Sequence, residues 1–373
     1  MRKEIHEDID SEQHRKFLVE TKSLKLDSLA TWEFYWVQYV EGEGEEEDLI
    51  VLNKVFNSLD IYDLDNQVLK KRIRLGTDDK FGKFAASGFY FHNSDSIFIY
   101  PSYTLDGTLI INSKGDVVRK VKTNIPEESE NVHALNHVSS PSSPSVYYGG
   151  KVHASVASMM SSSWDSGLSA DYKTNITLDL ITEEIFFVPH LNYPKEYIGK
   201  ATTNHHSFLC RAFVEGRYWV HSYPLLDSVY LYDTNYKYLG SKYAGSSFFE
   251  GFVELEKGTP HNEQFIYIIE NSSYARVIYD KYRKLFYRVT LIGRKLDTSI
   301  DESSMDNSRN QFSIVVFDEN FQKIKEVLFP SKKYYHYAAF VGKNGLYLPK
   351  INKDYINISE DTVSYDIFSF VGE

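Results

Sequence analysis

The sequence predicts an all-β protein: a six-bladed β-propeller built from four-stranded antiparallel blades. Three observations lead to this prediction. Aromatic residues are abundant, with 29 Tyr, 24 Phe and 4 Trp among 373 residues, and aromatic side chains suit the pleated, half-buried surface of a strand. Strand-like runs recur in groups joined by short turns. One additional strand-like run precedes the first group, whereas the last group has one run fewer than the others.

The first unit sets the pattern that later units repeat. Its joints contain Asn57-Ser58 and Asp65-Asn66, residue types that favour tight turns. Adjacent strands joined by tight turns form an antiparallel meander, so one unit predicts one blade, with strands A to D counted from the inside outwards. The four runs of this unit are Trp32–Val40, Asp48–Phe56, Ser58–Asp63 and Leu69–Leu75.

Five further units follow in the same order. They average about sixty residues, longer than the ~40–50 residues of compact propeller repeats, because some loops are long. The runs assigned to strand A are Phe84–His92, Val132–Val138, Phe208–Val214, Tyr274–Tyr279 and Tyr337–Val341. The outer runs are Ser96–Tyr103, Thr108–Asn112, Val117–Val121, Val146–Met159, Asn175–Leu180, Ile185–Val188, Arg217–Tyr223, Ser228–Asp233, Tyr238–Tyr243, Leu285–Ile292, Phe312–Phe317, Lys323–Phe329, Gly345–Ile351 and Thr362–Phe370.

The two ends of the chain carry complementary irregularities. The last unit has no run for strand D, whereas Phe17–Leu26 is a spare run before the first unit. A propeller must close its ring, and an N-terminal strand that completes the last blade also hides a sheet edge. We therefore predict a flexible N-terminal segment at 1–16 and a single β-propeller domain at 17–373.

Two stretches interrupt the rhythm of the units. Ser139–Ser145 (SSPSSPS) is a serine-rich loop in the third unit. Phe248–Ser273 is a long insertion before the fifth unit, and within it Gln264–Glu270 could form a strand of its own. Seven blades therefore stay the alternative to six.

Composition and charge exclude several classes of function. The formal net charge is −11, which disfavours a nucleic-acid partner because phosphate neutralisation needs a basic surface. No run approaches the ~20 apolar residues that span a bilayer. The sequence has no motif for a metal, a cofactor or a catalytic nucleophile, and its single cysteine, Cys210, lies in an apolar run. We expect a monomer with no cofactor and no metal, and more readily a binding protein than an enzyme.

Candidate binding residues follow from the geometry of a propeller. Strand A lines the central channel, and the D–A and B–C loops gather at one mouth of it, where a ligand would bind. Arginine offers a planar fork for an anion, and tyrosine offers a stacking face with a polar tip. The alternative is that such residues hydrogen-bond neighbouring blades. The candidates are Arg211, Arg276, Arg288, His221, Tyr223, His205, Tyr100, His336 and Lys350, together with His206, Asp78, Asp79 and Tyr103.

Five of these residues are expected to converge between the fourth and fifth units. Arg211 and Arg276 come from successive innermost strands, and His221 and Tyr223 share one face of their strand because they are two residues apart. Together with Arg288 they would form a cationic cluster in an acidic protein, which suits an anionic ligand. Alternatively, acids such as Asp280 or Glu254 neutralise the arginines in a structural network.

One segment carries a resemblance to a known family. Tyr279–Arg288 (YDKYRKLFYR) resembles a Tyr-Asp-x-Tyr-Arg-x-x-Tyr-Tyr-Arg signature of the uncharacterised TolB-like six-bladed propeller lipoproteins of Bacteroidetes, with Phe286 where that signature has Tyr. Asp179–Pro194 and Leu49–Asp65 look like blades of the same family. The resemblance covers most of residues 17–371. It implies export and lipid anchoring at the cell envelope and no particular activity, although the sequence given contains no leader and no lipobox cysteine.

Two functions therefore compete. The first is a non-catalytic, envelope-associated module that recognises a protein or a glycan through the face around the channel mouth. An arginine-rich mouth would favour an anionic ligand. The second is a channel-site hydrolase or lyase that acts on an anionic carbohydrate. A broad aromatic mouth favours binding, and a deep pocket with a charged pair of shifted pKa favours catalysis.

Overall fold

Six four-stranded antiparallel sheets form the blades of a ring in the computed structural model, which confirms the six-bladed propeller. The structure describes residues 13–42, 44, 46–76, 84–101, 105–122, 137–156, 168–295, 311–330, 333–350, 359 and 361–371. Asp78, Asp79 and Tyr103 lie outside the described residues. In the described part of the chain, no helix is long and apolar enough to cross a membrane.

The strands of blades 1 to 3 follow the predicted order. The first strand of the chain, β1 (Leu18–Lys25), belongs to blade 6. Blade 1 contains β2 (Val37–Glu41), β3 (Glu47–Asn53), β4 (Ser58–Asp63) and β5 (Val68–Arg74). Blade 2 contains β6 (Gly88–Asn93), β7 (Ser96–Tyr100), β8 (Leu109–Ile111) and β9 (Val117–Lys120). Blade 3 contains β10 (His137–Val138), β11 (Val146–Tyr148), β12 (Lys151–Val156), β13 (Asn175–Asp179) and β14 (Ile185–Phe187).

Blades 4 to 6 complete the ring. Blade 4 contains β15 (Cys210–Val214), β16 (Tyr218–Ser222), β17 (Ser228–Asp233) and β18 (Tyr238–Tyr243). Blade 5 contains β19 (Ser273–Asp280), β20 (Leu285–Leu291), β21 (Phe312–Asp318) and β22 (Lys323–Phe329). Blade 6 contains β23 (Phe340–Gly342), β24 (Gly345–Pro349) and β25 (Thr362–Phe368), with β1 as its outermost strand.

The two chain ends close the ring as predicted. Strand β1 pairs antiparallel with β25, in a register that runs from Leu18 opposite Phe368 to Lys25 opposite Thr362. Side chains reinforce the pairing, because the Thr21 hydroxyl donates to Asp366 Oδ1 at 2.6 Å. A short 3-10 helix (Gln13–Phe17) precedes β1, so the described end of the predicted segment 1–16 packs against the ring.

A capping residue at the end of strand C starts the outer hairpin in five blades. Its side-chain oxygen accepts hydrogen bonds from backbone N–H groups two to four residues later, as Asp63 Oδ1 does from Asp65 at 2.9 Å and Asn66 at 2.8 Å. Asp and Asn favour this local bond, which fixes a tight turn. Blade 6 has no such residue because its strands C and D come from opposite chain ends. The five residues are Asp63, Asn112, Asp179, Asp233 and Asp318.

The hydrophobic core lies between neighbouring blades rather than at one centre. Blades 6 and 1 pack through Tyr347 and Tyr365 against Leu49 and Tyr62, all fully buried. Equivalent clusters join blades 1 and 2, 2 and 3, 4 and 5, and 5 and 6. Each blade therefore buries its apolar faces only through its two neighbours.

Two elements differ from the sequence prediction. Gln264–Glu270 belongs to an α-helix, α1 (His261–Glu270), so the prediction that it could be a strand was wrong and the seven-bladed alternative falls. The innermost strand of blade 3 is split, because β10 and β11 both pair with β12 and Ser139–Ser145 stands between them. Serine and proline favour turns over the hydrogen-bonding ladder of a strand.

Ring closure can be tested by truncation. Removing residues 1–26 deletes β1 and its ladder with β25, and we expect a loss of roughly 5 kcal/mol of unfolding free energy at about 1 kcal/mol per hydrogen bond, together with aggregation through the exposed edge. Removing only residues 1–12 is the matched control and leaves β1 intact. Urea denaturation followed by circular dichroism measures both. Equal stability of the two truncations would contradict closure by β1.

Candidate functional site

A cavity of about 340 Å³ opens on the channel at the mouth where strands A begin. Five blades contribute to its lining. The residues come from the junctions before β2, β15 and β23, from the first residues of β15 and β19, from the loop between β10 and β11, from the end of β20, and from the B–C connection of blade 4. The lining consists of Tyr35, Trp36, Ser140, Pro141, Ser142, Ser143, His205, His206, Phe208, Leu209, Cys210, Pro224, Ser273, Tyr274, Ala275, Leu291, Tyr335 and Tyr337.

Aromatic rings from blades 1 and 6 form a continuous wall of this cavity. The ring of Tyr35 lies 5.2 Å from that of Tyr335 and 6.2 Å from that of Trp36, measured between centroids. Tyr335 in turn lies 5.6 Å from Tyr337. We call these four residues the aromatic wall. Lys54 covers the Trp36 ring with its ammonium group 3.3 Å from the ring centroid.

The Ser139–Ser145 loop projects into the channel where the inner strand of blade 3 is interrupted. Ser139 Oγ donates to the Phe89 carbonyl of blade 2 at 3.1 Å. On the other side, the Ser142 carbonyl accepts a hydrogen bond from the backbone N–H of Arg211 in blade 4 at 3.0 Å. The loop separates the mouth cavity from a void of about 120 Å³ on the side of blades 1 to 3. The sequence reveals that the strand pattern is interrupted at Ser139–Ser145, but not that this loop enters the channel.

Two buried arginines hold this loop in place. Arg276 Nη2 donates to the Pro141 carbonyl at 2.8 Å, while Nη1 donates to the carbonyls of His336, Tyr337 and Ala339 at 2.8–2.9 Å. Arg276 therefore ties blade 5 to the loop and to blade 6.

Arg211 fastens the loop from blade 4. Its Nη2 donates to the carbonyls of Pro144 at 2.6 Å and His153 at 2.7 Å. Its Nη1 donates to Asn175 Oδ1 at 3.3 Å.

Arg288 plays a similar part between blades 4 and 5. Its guanidinium donates to the carbonyls of Leu226 at 2.6 Å and of Asp227 and Ala244 at 2.8 Å, and lies 3.4 Å from the ring centroid of Tyr274. Burial lowers the pKa of Arg276 and of Arg288 to about 10, so both remain charged at neutral pH. Among the described residues, no carboxylate lies within ion-pairing distance of Arg211, Arg276 or Arg288.

Four buried histidines near the channel are held neutral. Burial lowers the pKa of His153 to about 4 and those of His206 and His336 to about 3. The pKa of His221 is also lowered well below its ordinary value, by burial and then by the charge of Arg211. His221 and His336 have no hydrogen-bond partner for either ring nitrogen among the described residues.

Three further predicted site residues are packed between blades or within one blade, away from the mouth cavity. Tyr100 is buried between blades 2 and 3, and Tyr223 is buried in a tyrosine cluster with Tyr193 and Tyr197. Lys350 Nζ lies 2.5 Å from Asp366 Oδ1 inside blade 6. Of the predicted candidates, His205 and His206 are the two that line the mouth cavity.

The predicted candidates and the lining of the mouth cavity come from the same junctions but differ mostly in residue type. Arg211 and Arg276 both reach the channel loop, as their strand positions suggested, yet their donors engage backbone carbonyls. Asp280 and Glu254 do not neutralise them. The aromatic wall was missed, although Tyr35, Trp36, Tyr335 and Tyr337 immediately precede or open strands A in the sequence. Their position next to strands A could have identified these aromatic residues from the sequence, but charged residues were preferred as candidates.

The A–B turn within the Tyr279–Arg288 segment lies at the end of blade 5 opposite the mouth. Asp280 Oδ1 accepts hydrogen bonds from the N–H groups of Tyr282 and Arg283, both at 3.0 Å, so it caps this turn. Tyr282 donates to Glu41 of blade 1, and Arg283 donates to the Gly342 carbonyl of blade 6 at 3.4 Å. The hairpin thus reaches over the three-residue strand β23 to blade 1.

Phe286 occupies a wholly apolar position in the same segment. It is fully buried between blades 4 and 5, with its ring 4.6 Å from that of Phe321. A tyrosine hydroxyl would need a partner at this position, so the departure from the signature fits its surroundings.

A second, charged cavity lies on the outer side of blades 1 and 2. It measures about 680 Å³ and includes Asp27, Arg72 and Asp116. Arg72 donates to both Asp27 and Asp60, at 2.9 Å and 2.7 Å. Arg72 and Asp27 pair with each other, and the cavity, which Arg74 and Lys114 also line, lies away from the axis, so we treat it as a weaker candidate than the mouth cavity.

Comparison with known proteins gives a family and a fold. A model described as a domain of unknown function, DUF4221, matches residues 16–328. The crystal structure of a DUF4221 member from Bacteroides vulgatus matches with a TM-score of 0.80 at 21% identity, over 94% of this chain and 97% of that chain. A protein from Bacteroides fragilis, named as a candidate exported protein, matches with a TM-score of 0.53 at 12% identity, over 94% and 95%. No curated protein matches the sequence.

Arg276 is expected to stabilise the fold. Replacing it with Met removes the side-chain donor of the Pro141, Tyr337 and Ala339 carbonyls, whereas the His336 carbonyl keeps the hydrogen bond from the Ala339 N–H. An unsatisfied buried acceptor costs about 1–3 kcal/mol. We expect Arg276→Met to lose roughly 3 kcal/mol or more in urea denaturation, and Arg276→Lys to recover only part of that loss. The control, Arg217→Met, removes an exposed pair with Glu319 and should cost less than about 1 kcal/mol. Wild-type stability of Arg276→Met would refute this role.

The buried histidines predict acid sensitivity. Their folded pKa values lie below the ordinary 6.5, so below that pH the unfolded chain binds more protons and stability falls as pH falls. Between pH 6.5 and 5.5 each histidine should cost roughly 1 kcal/mol. His221→Phe removes one such proton without orphaning a partner and should flatten the slope by that amount. Denaturant melts at stepped pH test this, and a flat profile for the wild type would disprove it.

Proposed function

This chain belongs to the DUF4221 family, and from that premise we propose that it is a non-catalytic binding propeller that recognises its ligand through the channel-mouth cavity. The observation that most supports this proposal is the aromatic wall at the edge of an axial cavity. Ligand pockets are concave, mostly apolar and supplied with a few polar groups, and they measure ~300–1,000 Å³. The mouth cavity satisfies each of these conditions.

The chemistry of the lining supports binding over catalysis. Among the described residues, the lining contains no carboxylate, lysine or arginine side chain. The Cys210 thiol donates to the Ala275 carbonyl at 2.9 Å, and burial raises its pKa to about 12, so it is a poor nucleophile. The alternative, a hydrolase or lyase acting on an anionic carbohydrate, would need an acid–base pair at this position.

The predicted site residues divide into two roles in this proposal. His205 contributes a polar edge to the ligand cavity. Arg211 and Arg276 act as positioning residues, because they hold the Ser139–Ser145 loop that forms one side of the cavity. Arg288, His221, Tyr223, Tyr100, His336 and Lys350 support the blades around it.

We place the protein at the cell envelope as a monomer. The support is the resemblance to lipoproteins and the Bacteroides fragilis protein of similar fold that is named as a candidate exported protein. Its partner at the envelope would be a protein or a glycan presented to the channel mouth. The acidic net charge of −11 argues against nucleic acid.

A ligand screen with matched variants tests the proposal. Thermal shift against peptides and glycans should reveal a ligand that raises the Tm by roughly 3 °C at about 100 times its Kd. Trp36→Ala and Tyr337→Ala should abolish the shift. Tyr243→Ala, which alters an exposed aromatic residue on the outer strand of blade 4, should retain it. A shift that survives both mouth variants, or chemical turnover of the bound compound, would overturn the proposal.

A further inference from the structure

We propose that the outer edge of blade 1 is a second binding site, where strand β5 (Val68–Arg74) takes up an extended, acidic segment of a partner protein as an additional strand. This surface is separate from the mouth cavity, so the inference does not rest on the function proposed above. Three properties of the described residues lead to it: outward-facing backbone groups, cations without an ion pair and a cavity beside the strand edge.

Strand β5 is the outermost strand of blade 1 and pairs with β4. Along an antiparallel pair, the backbone groups of successive residues point alternately towards the partner strand and away from it. The Leu75 N–H donates to the Asn57 carbonyl at 2.8 Å, on the side of β4. By this alternation Ile73 also faces β4, whereas the N–H and C=O groups of Arg72 and Arg74 point outwards. Outside the ladder with β4, no backbone hydrogen bond between described residues uses these outward groups, so an extended peptide would pair with them.

Two other outer strands have edges that the chain itself covers. On β1, the N–H groups of Ser23 and Lys25 donate to the side-chain and backbone oxygens of Gln67, at 2.7 Å and 3.0 Å. On β22, Phe17 of the N-terminal 3-10 helix lies beside the strand, with its ring centroid 4.4 Å from Lys325 Nζ. An open strand edge is a template for pairing with another chain, so the edge of β5 is available for a role that these two edges cannot have.

Several cations at this edge have no carboxylate partner among the described residues. Lys71 and Arg74 of β5, and Lys114 in the neighbouring turn of blade 2, are exposed and form no ion pair in the described part of the chain. A glutamate or aspartate of a partner segment would find these charges free. A second copy of this chain fits less well, because two β5 edges side by side would bring like charges together.

The two carboxylates that line the cavity beside β5 already have partners. The Arg72 guanidinium donates to both oxygens of Asp27, each at 2.9 Å. Asp116 Oδ2 accepts a hydrogen bond from Asn112 Nδ2 at 3.0 Å within its own turn. A basic partner segment would have to compete with these contacts, whereas an acidic one meets cations that are not engaged. The edge therefore selects for acidic side chains.

The cavity of about 680 Å³ on the outer side of blades 1 and 2 gives this edge room for an added strand. It is lined by residues of β5, of the segment after β1 and of the turn between β8 and β9. Leu29, Leu69 and Ile73 give it apolar surface beside the cations Arg74 and Lys114. Side chains of a strand alternate between its two faces, so apolar and acidic residues of one segment would both find contacts. A free sugar acid or phosphate would meet the cations but leave the row of backbone groups unpaired.

Fluorescence anisotropy with designed peptides tests the site on the full chain. The probe is a labelled octapeptide of alternating Glu and Val, and in its counterpart Lys replaces Glu. The Glu peptide should bind with a Kd on the order of 100 µM, at least about tenfold more tightly than the Lys peptide. Arg74→Glu combined with Lys114→Glu should weaken this binding about tenfold or more at an unchanged Tm, because neither cation pairs with a described residue. Lys242→Glu, the matched control on the outer strand of blade 4, should bind as the wild type does.

N-methylated peptides distinguish strand addition from attraction by charge alone. In an added strand only every second amide faces β5, and a methyl group on a facing amide removes its donor and blocks the approach of the strand. Methylating all the Glu amides or all the Val amides should therefore have opposite results. One of the two versions should lose at least about tenfold in affinity, and the other should stay within about threefold of the parent peptide.

The inference fails if the Glu peptide does not bind below about 1 mM, if both methylated versions bind alike, or if the wild type and the Arg74→Glu, Lys114→Glu variant bind equally. If polyglucuronate or phosphatidylglycerol vesicles bind through these cations and the peptides do not, the surface belongs to a glycan or a membrane and the inference is wrong. None of these outcomes bears on the mouth cavity, which Trp36→Ala and Tyr337→Ala test separately.

Discussion

Closure of the ring is the constraint on which the rest of this structure depends. A blade of four strands cannot cover both of its own apolar faces, so each blade is stable only between two neighbours. The pairing of β1 with β25 supplies the last of these contacts. It also brings residues near the two chain ends to the same side of the axis. Tyr35 and Tyr335, separated by three hundred positions in the sequence, stand 5.2 Å apart because the ring is closed.

Buried arginines make the irregular parts of the ring possible. The loops at the mouth have carbonyls that no strand can satisfy, and a buried carbonyl without a donor is costly. Arg211, Arg276 and Arg288 each present several donors in one rigid fork, so each can satisfy carbonyls of two or more segments. The positive charge that suggested an anion site in the sequence is thus directed towards peptide groups. The cavity that remains beside them is aromatic and neutral.

The side chains of the Tyr279–Arg288 segment join blade 5 to blades 1, 4 and 6. Asp280 caps its turn, Tyr282 and Arg283 fasten the turn to blades 1 and 6, and Arg288 binds blade 4. The contacts of Tyr282 and Arg283 lie around β23, a short inner strand of three residues. The segment therefore secures that part of the ring.

The sequence by itself determined the strands, their grouping and the means of closure. The alternation of apolar residues and the Asx turns at Asp63 or Asp233 depend on neighbours along the chain. The additional run at Phe17–Leu26 matched the strand that the last unit lacks, which indicated how the ring closes. Gln264–Glu270 was one exception, because a short apolar run fits a strand or a helix equally well, and the split inner strand of blade 3 was the other. The surroundings of the candidate residues depended on the tertiary structure. Whether Arg276 contacts a ligand or the Pro141 carbonyl, and whether Tyr35 packs against Tyr335, depends on segments brought together only when all six blades pack around one axis.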